Sequence, residues 1–532
     1  MSCIDNMATT VAIEFLSLPT ELICHILSLL TPRDLCRCAM TCKIVRNAAQ
    51  NSIHIQYKLE LHAQGFTETR TLNSIDVDSR MSSLKRWVTF WPSVFHASSV
   101  FEDAVPIMNL HSGIQHMKCG IWWMWDNDNF YIRDCNTNIK LSHSFSRYEQ
   151  FFQGRMSGSV RSVVLDPIQD LVVVILFPDI YTVTGAEQGR HIFSVEFRSA
   201  SSLLPHPDSV EALLKCQHSE ESSHHRVILT QEPTVCGDHI VVFYHMERLN
   251  PLEMVGHNVF IQVIDWRKGY TKSYPLCEDF AGFHLVDEQK FVVIDTQGII
   301  TLYTLQENGP PQRRVMYRLQ ESLLASFYLF HGTPSFHAAT ACPDLEPDYV
   351  PSLESQIVVL ETITNARPVV LVIDMVIFSE KALHSDTPVE IPWSEWGPQY
   401  TCCFQHHSSC QISVFGSKMA YALPWDITPK IGKKPEGLCT QDCFYVHILD
   451  FNQRAIARAE NIYDPDSPTC LICKSSDYPH GSIISNRPYI ATVCRTRFFP
   501  NRFVRLFLEH DRLTLTWVVS PVQTKVDSDL VH

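Results

Sequence analysis

The chain has 532 residues, of which 45% are hydrophobic and 11% aromatic, so it can bury a substantial core and is not an intrinsically disordered protein. Its 43 Lys and Arg residues against 57 Asp and Glu residues leave a formal net charge of −14, which disfavours nucleic acid and anionic membranes as main partners. At roughly 100 to 200 residues per domain, this length predicts several domains, or one large architecture with a small appendage.

Three further features predict an intracellular protein, in the cytoplasm and/or the nucleus. The longest apolar run, Leu171 to Phe177, is much shorter than the roughly 18 residues that a membrane-spanning helix needs. The first residues lack the basic start and small-residue cleavage site of a signal peptide. The number of cysteines, 19, is odd, and their spacing matches no disulfide framework. This pattern indicates free thiols in a reducing compartment.

Residues 15–50 carry the start signals of three short helices. Pro19 suits the first turn of a helix, and apolar residues then recur at three- and four-residue spacings. Thr31, Pro32 and Asp34 predict a second helix with Thr31 as its N-cap. Thr41 is the expected N-cap of a third helix.

The first helix is apolar around most of its circumference, and three short helices in fewer than about 40 residues cannot bury so wide a surface among themselves. The surface therefore meets something else. One interpretation is a helical cap docked on the chain's own large domain; the other is a docking module for a separate protein.

The order of motifs in this stretch resembles an F-box. Residues 15–60 follow the family's pattern of a Leu-Pro, an acidic-leucine helix, an aliphatic pair, a Pro-Arg-Asp-Leu turn and a basic third helix. The matching motifs are Leu18-Pro19, Glu21-Leu22, Ile26-Leu27, Leu30, Pro32-Arg33-Asp34-Leu35, Cys42-Lys43 and Val45-Arg46. The Leu-Trp that often follows the third helix is absent. The segment Ile53 to Leu61, with its Tyr57-Lys58-Leu59-Glu60-Leu61, is similar to F-box proteins of mushroom-forming fungi.

This resemblance implies that the module binds the Skp adaptor of cullin-based ubiquitin ligases and, through it, a cullin. Aliphatic anchors in a groove are a common way to convert exposed apolar area into affinity. The residues at the family's contact positions are Leu18, Pro19, Leu22, Ile26, Leu30 and Leu35.

A helical connector follows over residues 61–99. Met81, Leu84, Trp87, Val88 and Trp91 recur at helical spacing after Ser79, the expected N-cap. We expect this helix to pack between the module and the rest of the chain as a rigid spacer. Residues 1–14 are expected to be a flexible N-terminus.

From residue 100 to residue 532 the pattern changes to short β-rich runs separated by turn residues, which predicts paired strands. The segment Asn258 to Gly269 resembles the strands of a WD-repeat blade, although its Asp265-Trp266 dipeptide is inverted. Blades of about 40 to 45 residues would number about six to eight here. The predicted fold class is therefore α+β multidomain, with a small three-helix module followed by an all-β domain. The favoured all-β architecture is a β-propeller, and the alternative is a pair of β-sandwiches.

Long polar inserts at 201–233, 333–356, 424–441 and 462–481 exceed ordinary connections, and we expect target contacts there or on one propeller face. No substrate-binding residue can be named from this pattern.

Several cysteine and histidine residues have spacings seen in structural zinc sites, namely Cys402, Cys403, His406, His407, Cys410, Cys439, Cys443, Cys470 and Cys473. Because they fall in different predicted blades with varied spacings, we assign no metal. Cys470 and Cys473 are expected to be loop thiols. The run Trp122-Trp123-Met124-Trp125 is expected to pack in the β core rather than to stack on a ligand.

The sequence contains no phosphate-binding glycine loop, no His-Glu-x-x-His motif and no nucleophile elbow, so neither a cofactor nor catalytic residues are assigned. We therefore expect a non-catalytic adaptor, the substrate-recognition subunit of an SCF-type (Skp-cullin-F-box) ubiquitin ligase, whose β domain binds the target protein. The alternatives are an F-box scaffold or regulator outside the ligase and, less favoured, a β-propeller enzyme with a helical cap.

Overall fold

The computed structural model describes most of the chain. The described residues are 15–69, 76–94, 101–106, 114–125, 130–135, 147–149, 160–177, 191–217, 225–248, 259–277, 279–306, 309–325, 327–336, 345, 347–363, 369–379, 388–405, 411–424, 444–462, 470–473, 487–493, 503–510, 512–520 and 523–530. The expected flexible N-terminus, residues 1–14, lies outside them.

The N-terminal part is a helical module. After a 3₁₀ turn at Phe15–Ser17, it contains α1 (Thr20–Leu29), α2 (Pro32–Thr41), α3 (Lys43–Asn51) and α4 (Ile53–Gln64). The predicted start of α2 is confirmed, since the Thr31 hydroxyl accepts a hydrogen bond from the Asp34 backbone N–H at 3.2 Å. The Thr31 hydroxyl also donates to the Asp34 carboxylate at 2.8 Å.

The prediction for the third helix was wrong in its N-cap. Thr41 is the last residue of α2, and Cys42 precedes α3 without a side-chain capping bond. The Thr41 hydroxyl instead donates to the Cys38 carbonyl at 2.7 Å. The fourth helix, α4, runs across the expected domain boundary at residue 60. The expected boundaries at residues 60 and 99 stay predictions.

The helices share a small core of their own. Its fully buried members are Ile23, Leu27, Leu35, Val45, Ala48, Ala49 and Ile55. This core takes one side of α1, α2 and α3, whereas α4 contributes Ile55 to it and Tyr57 to a second buried cluster with the following helix.

The connector helix is α5, which runs from Val77 to Val94 and so begins two residues before the expected cap. The Asp76 carboxylate accepts a hydrogen bond from the Asp78 backbone N–H at 3.2 Å. Met81 and Leu84 are buried against α4, whereas the side chains of Trp87, Val88 and Trp91 lie outside the described part.

The rest of the chain is all-β apart from short helices. Its described strands, except Tyr349–Pro351, form seven antiparallel sheets of four or five strands, of which one adds a short parallel strand. We call these sheets blades and number them in chain order. Blade 1 has β3 (Ile114–Lys118), β4 (Ile121–Trp125), β5 (Phe130–Asp134) and β6 (Arg147–Glu149). Blade 2 has β7 (Val160–Asp166), β8 (Leu171–Leu176), β9 (His191–Ser199) and β10 (Leu213–Gln217), and blade 3 has β11 (His225–Leu229), β12 (Thr234–Cys236), β13 (His239–Arg248), β14 (Val259–Asp265) and β15 (Tyr270–Cys277).

The remaining blades follow the same order. Blade 4 has β16 (Phe280–Leu285), β17 (Lys290–Asp295), β18 (Ile299–Gln306), β19 (Gly309–Arg318) and the parallel strand β24 (Val389–Ile391); blade 5 has β20 (Phe327–Gly332), β22 (Ile357–Ile363), β23 (Val369–Asp374) and β25 (Thr401–Gln405); blade 6 has β26 (Ile412–Phe415), β27 (Lys418–Pro424), β28 (Phe444–Asp450), β29 (Cys470–Cys473) and β30 (Tyr489–Val493); blade 7 has β31 (Phe503–Leu508), β32 (Arg512–Ser520), β33 (Gln523–Leu530) and β2 (Phe101–Pro106). Two short helices follow the blades: α6 (Trp393–Tyr400) lies beside blades 4 and 5, and α7 (Gln453–Ile462) lies beside blade 6.

The blades form a closed ring, which confirms the β-propeller prediction over the β-sandwich alternative. Each pair of neighbouring blades shares a hydrophobic core, from the Leu171 and Ile240 cluster between blades 2 and 3 round to the Ile121 and Val163 cluster between blades 1 and 2. Phe507 of blade 7 packs on the buried core of blade 1. Blade 7 also combines β2 with three strands from the end of the chain, so strands distant in sequence complete the ring.

Local sequence patterns explain two features of the ring. The tryptophan run lies in the β core as expected, because the side chains of Trp122, Trp123 and Met124 on β4 are buried. At the end of β14, the Asp265 carboxylate accepts from the Lys268 backbone N–H at 3.0 Å, and Trp266 is fully buried. The inverted dipeptide therefore caps the turn with its carboxylate and fills the core with its indole.

Candidate protein-docking site

The helical module exposes an unusual share of the chain's large apolar side chains. Of the fourteen such side chains that are exposed among the described residues, seven lie between residues 15 and 44. They are Phe15, Leu16, Leu22, Ile26, Leu29, Met40 and Ile44. A concentration of this kind is typical of a protein-docking surface, and we call these seven residues the module surface.

The six sequence-predicted contact residues do not share one environment. Leu22 is 49% exposed, Ile26 is 38% exposed, and Pro19 is exposed as well. Leu18 and Leu30 are half-buried and pack against the outside of the module core. Leu35 is fully buried inside that core, so its side chain cannot reach a partner while the module is folded.

Sequence reasoning missed five members of the module surface: Phe15, Leu16, Leu29, Met40 and Ile44. Leu29 had a usable signal, because it follows Leu22 and Ile26 at the spacing that places three residues on one helix face. Leu29 is 74% exposed, the most of any large apolar side chain described.

Residues 15–56 match the family model of the F-box-like domain. They form an F-box-like domain. The match covers this domain alone, and the chain matches none of the curated proteins with which it was compared.

Solved structures similar to the chain include β-propellers. One is the WD40 domain of SCAP from fission yeast, at 8% identity and a TM-score of 0.33, covering 81% of this chain and 98% of that one. Another is the β-propeller domain of Cps50 (Swd1) from Myceliophteria thermophila, at 8% identity and a TM-score of 0.35, covering 81% of this chain and all of that one. The propeller assignment itself rests on the observed order of the sheets.

The F-box-like domain and the polypeptide just after it are joined to the propeller by backbone pairing. A short strand, β1 (Phe66–Glu68), pairs antiparallel with β21 (Tyr349–Pro351), and the Ser352 backbone N–H donates to the Gly65 carbonyl at 2.8 Å. Residues 333–356 were expected to contact a target. Their described C-terminal part pairs with the segment that follows the F-box-like domain, and target contacts in this insert stay a prediction.

A second attachment runs between α4 and α7. The Asn452 side-chain amide donates to the Ala63 carbonyl at 2.9 Å, and Arg454 donates to the His62 carbonyl. Arg458 forms an ion pair with Glu60 at 2.9 Å. Burial opposes ionisation of Glu60, but hydrogen bonds from Arg458 and Gln64 outweigh it and hold the pKa of Glu60 below its ordinary value.

A buried polar cluster completes the joint. The Tyr57 hydroxyl donates to the Tyr349 hydroxyl at 3.1 Å, and the Arg80 guanidinium lies 5.2 Å from the centre of the Tyr57 ring. Arg80 also pairs with Glu68. Burial is the main reason that the pKa of Tyr57 lies far above its ordinary value, so this phenol stays neutral and acts as a hydrogen-bond donor. Connector, F-box-like domain and propeller therefore meet in one packed joint.

We expect Gly65→Ala to loosen this joint. Gly65 has φ +77°, and a Cβ there would lie 2.5 Å from the Ser355 Cβ. The left-handed backbone and the clash together should cost about 1 to 3 kcal/mol. Hydrogen exchange should rise in β1 and β21, while Gly309→Ala, whose added Cβ would meet only Gln306 at 3.7 Å, should leave exchange there unchanged. Equal exchange in wild type and Gly65→Ala would contradict this account of the joint.

The propeller encloses a central cavity of about 590 Å³, lined by strands or adjoining residues of all seven blades. Along its lining, His116 of blade 1 pairs with Glu232 of blade 3 at 2.7 Å, and Lys118 of blade 1 pairs with Asp166 of the neighbouring blade 2 at 3.0 Å. Burial would raise the pKa of Glu232, but His116 and Arg505 outweigh it and lower that pKa. The charged groups facing the cavity thus compensate one another, and the cavity is part of the propeller's interior.

The cysteine and histidine residues noted in the sequence divide between different places. Cys402 is buried in the core between blades 5 and 6, whereas Cys403 packs against the core between blades 4 and 5. Cys470 and Cys473 lie on β29, so the prediction of loop thiols was wrong. His406, His407, Cys410, Cys439 and Cys443 lie outside the described residues. Within the described part, no group of three or more potential ligands could hold a metal ion.

None of the described helices combines the length and the apolar composition that crossing a membrane requires.

Proposed function

We propose that this protein is the substrate-receptor subunit of an SCF-type ubiquitin ligase. Its F-box-like domain binds a Skp adaptor, and through it a cullin, while the propeller binds a target protein. Its role is to raise the local concentration of the target near the conjugating enzyme, which requires no chemistry from this chain.

The observation that carries the proposal is the module surface. Leu22, Ile26 and Leu29 form a stripe along α1, and in the described part of the chain these side chains are 38% to 74% exposed. Such a stripe is how a helix enters an apolar groove, and burying it would convert exposed area into affinity. The alternative of a helical cap fails to explain it, because a cap would turn this stripe toward the propeller.

The packed joint supports the proposal by a second route. A receptor that positions its target needs a fixed geometry between the adaptor-binding end and the target-binding end. Strand pairing, the Arg458–Glu60 ion pair and the buried Tyr57 cluster all restrict relative motion of the two parts. An F-box scaffold outside the ligase has no need of such a restraint.

The test is assembly of the full chain with a Skp adaptor and a cullin, followed by size-exclusion chromatography. The proposal predicts one ternary complex in which the cullin joins only when the adaptor is present. In cells, partners bound to the propeller should then accumulate when the proteasome is inhibited. A chain that binds the adaptor but never a cullin, or whose bound partners are stable without inhibition, would favour the scaffold or regulator function instead.

A further inference from the structure

The central cavity of the propeller is lined by an arginine that has no close partner. Arg505 lies on β31, the inner strand of blade 7, and lines this cavity of about 590 Å³. Among the described residues, no side chain or backbone group forms a hydrogen bond or an ion pair with its guanidinium. Burial lowers the pKa of Arg505, and the charge of Glu232 opposes this effect only in part. A guanidinium keeps its charge inside a protein, so its N–H groups remain donors that need an acceptor.

A second donor without a partner lies beside Arg505. In the pairing of β31 with β32, Arg505 is directly opposite Thr516, so the two side chains share one face of the sheet. The Thr516 hydroxyl donates to the side-chain carbonyl of Gln115 in blade 1 at 2.9 Å. Gln115 also lines the cavity and is only 1% exposed, yet its Nε2 group has no hydrogen-bond partner in the described structure. We call Arg505 and Gln115 the cavity donor pair.

The orientation of the Gln115 amide is fixed by its surroundings. Its carbonyl oxygen accepts from the Trp122 indole at 3.4 Å as well as from the Thr516 hydroxyl. Since both of these groups are donors, the oxygen must face them, and the amide N–H groups are left unpaired. An unpaired buried donor costs free energy, and buried polar groups are normally hydrogen-bonded. Two such donors side by side therefore indicate a missing acceptor.

The other charged groups that line the cavity do not supply this acceptor. The Asp166 carboxylate is paired with Lys118, and the Glu232 carboxylate is paired with His116. Water molecules can accept from the cavity donor pair, but they leave the charge of Arg505 without a close anion. A ligand that carries a negative charge meets both needs, because hydrogen bonds between charged groups are the strong ones.

The cavity also limits the size and the charge of such a ligand. Small-molecule pockets usually have about 300 to 1,000 Å³ and combine apolar walls with a few converging polar groups. The apolar residues of this lining include Val164, Phe283 and Phe330. Two adjacent donors match the two oxygens of one carboxylate. A dianion such as phosphate would be repelled by the carboxylates of Asp166 and Glu232, which line the same cavity.

From this arrangement we infer that the central cavity binds a small organic molecule with one carboxylate and an apolar body. The carboxylate accepts hydrogen bonds from the cavity donor pair, and the apolar body lies against the apolar walls. This inference goes beyond the proposed function, since it gives the propeller a ligand of its own whether or not the F-box-like domain binds an adaptor.

The experiment is calorimetric titration of the purified full chain with matched small molecules. The pairs are phenylacetate with phenylacetamide, benzoate with benzamide and hexanoate with hexanamide, and inorganic phosphate is titrated as well. Within a pair the two molecules have nearly the same size and differ in charge. We expect at least one carboxylate to bind about ten-fold or more tightly than its amide and than phosphate. Equal affinity within every pair, a preference for phosphate, or no binding of any carboxylate would overturn the inference.

Arg505→Met locates the binding. It should weaken carboxylate binding by about ten-fold or more and leave any amide binding unchanged. Because it removes a buried cation that has no close anion, it should not lower the temperature of thermal unfolding. Arg161→Met is the matched control, since Arg161 is exposed on β7, with its guanidinium 5.1 Å from the centre of the Phe177 ring. Carboxylate affinity equal to that of the wild type in Arg505→Met would overturn the inference.

Gln115→Glu decides the question even if Arg505→Met does not fold. The new carboxylate can still accept from Thr516, and it lies beside Arg505, where it takes the place of the ligand's carboxylate. Carboxylate binding should therefore be lost, whereas Gln217→Glu, at an exposed glutamine on β10, should bind like the wild type. Retention of carboxylate binding by Gln115→Glu would contradict the role of the cavity donor pair.

Discussion

Leu35→Asp should unfold the F-box-like domain while the propeller stays intact. Leu35 is fully buried in the module core, where a carboxylate would have no cation to compensate its charge. Burial of an unpaired charge is among the most destabilising single changes, at roughly 4 kcal/mol or more. A core of seven buried side chains has little stability to spare against such a loss. Hydrogen exchange should become fast throughout α1 to α3 and stay slow in the inner propeller strands.

Met40→Asp is the matched control for this variant. Met40 lies on the same helix, α2, but is 69% exposed, so the new carboxylate stays in water and exchange should match the wild type. If Leu35→Asp and Met40→Asp exchanged alike, Leu35 would not be a core residue. This comparison also separates loss of adaptor binding through unfolding from loss of a direct contact.

Lys118→Met should destabilise the propeller by about 3 to 5 kcal/mol, because it leaves the carboxylate of Asp166 buried without its cation. The Lys118 ammonium lies 3.0 Å from that carboxylate, and the two side chains are 7% and 1% exposed. They join the inner strands of blades 1 and 2, so the penalty falls on the seam between two blades. Chemical denaturation followed by tryptophan fluorescence measures the change.

Adding Asp166→Asn to Lys118→Met removes the stranded charge and should recover about half of the lost stability or more. The Asn side chain can still accept a hydrogen bond from the Ile168 backbone N–H, which Asp166 accepts at 3.2 Å. A double variant no more stable than Lys118→Met alone would mean that Lys118 acts through packing, for example on the ring of Phe336 5.6 Å away, and not through charge.

Features that depend on near neighbours in the sequence were predictable. The Thr31 cap, the Asp265 turn and the buried tryptophan run all follow from residues a few positions apart. The predicted blade count of about six to eight includes the seven blades observed, because each blade needs a nearly fixed length of chain.

The direction in which a helical residue faces was less predictable. Where a short helix is apolar around most of its circumference, periodicity does not separate the core side from the docking side. Leu35 was grouped with Leu22 and Ile26 because all three stand at the family's contact positions, although Leu35 is buried and the other two are exposed. Only the packing of α2 on α3, which forms the core, separates the two sets.

Contacts between segments that are distant in the sequence could not be predicted, because no local sequence pattern indicates them. Tyr57 and Tyr349 are 292 residues apart, and β1 pairs with β21 across a similar separation. The insert around Tyr349 was polar and long, which favoured a target-binding loop, and nothing in its local pattern indicated the pairing of β21 with β1.

The central claim is that the module surface binds a Skp adaptor, and calorimetric titration of the adaptor into the full chain tests it most directly. We expect Leu22→Asp and Ile26→Asp each to weaken binding by about ten- to a hundred-fold, since a carboxylate would enter an apolar groove. Leu204→Asp, at a leucine that is 66% exposed on the propeller, should bind like wild type. Failure of the wild type to bind, or equal affinity for all of these variants, would contradict the claim.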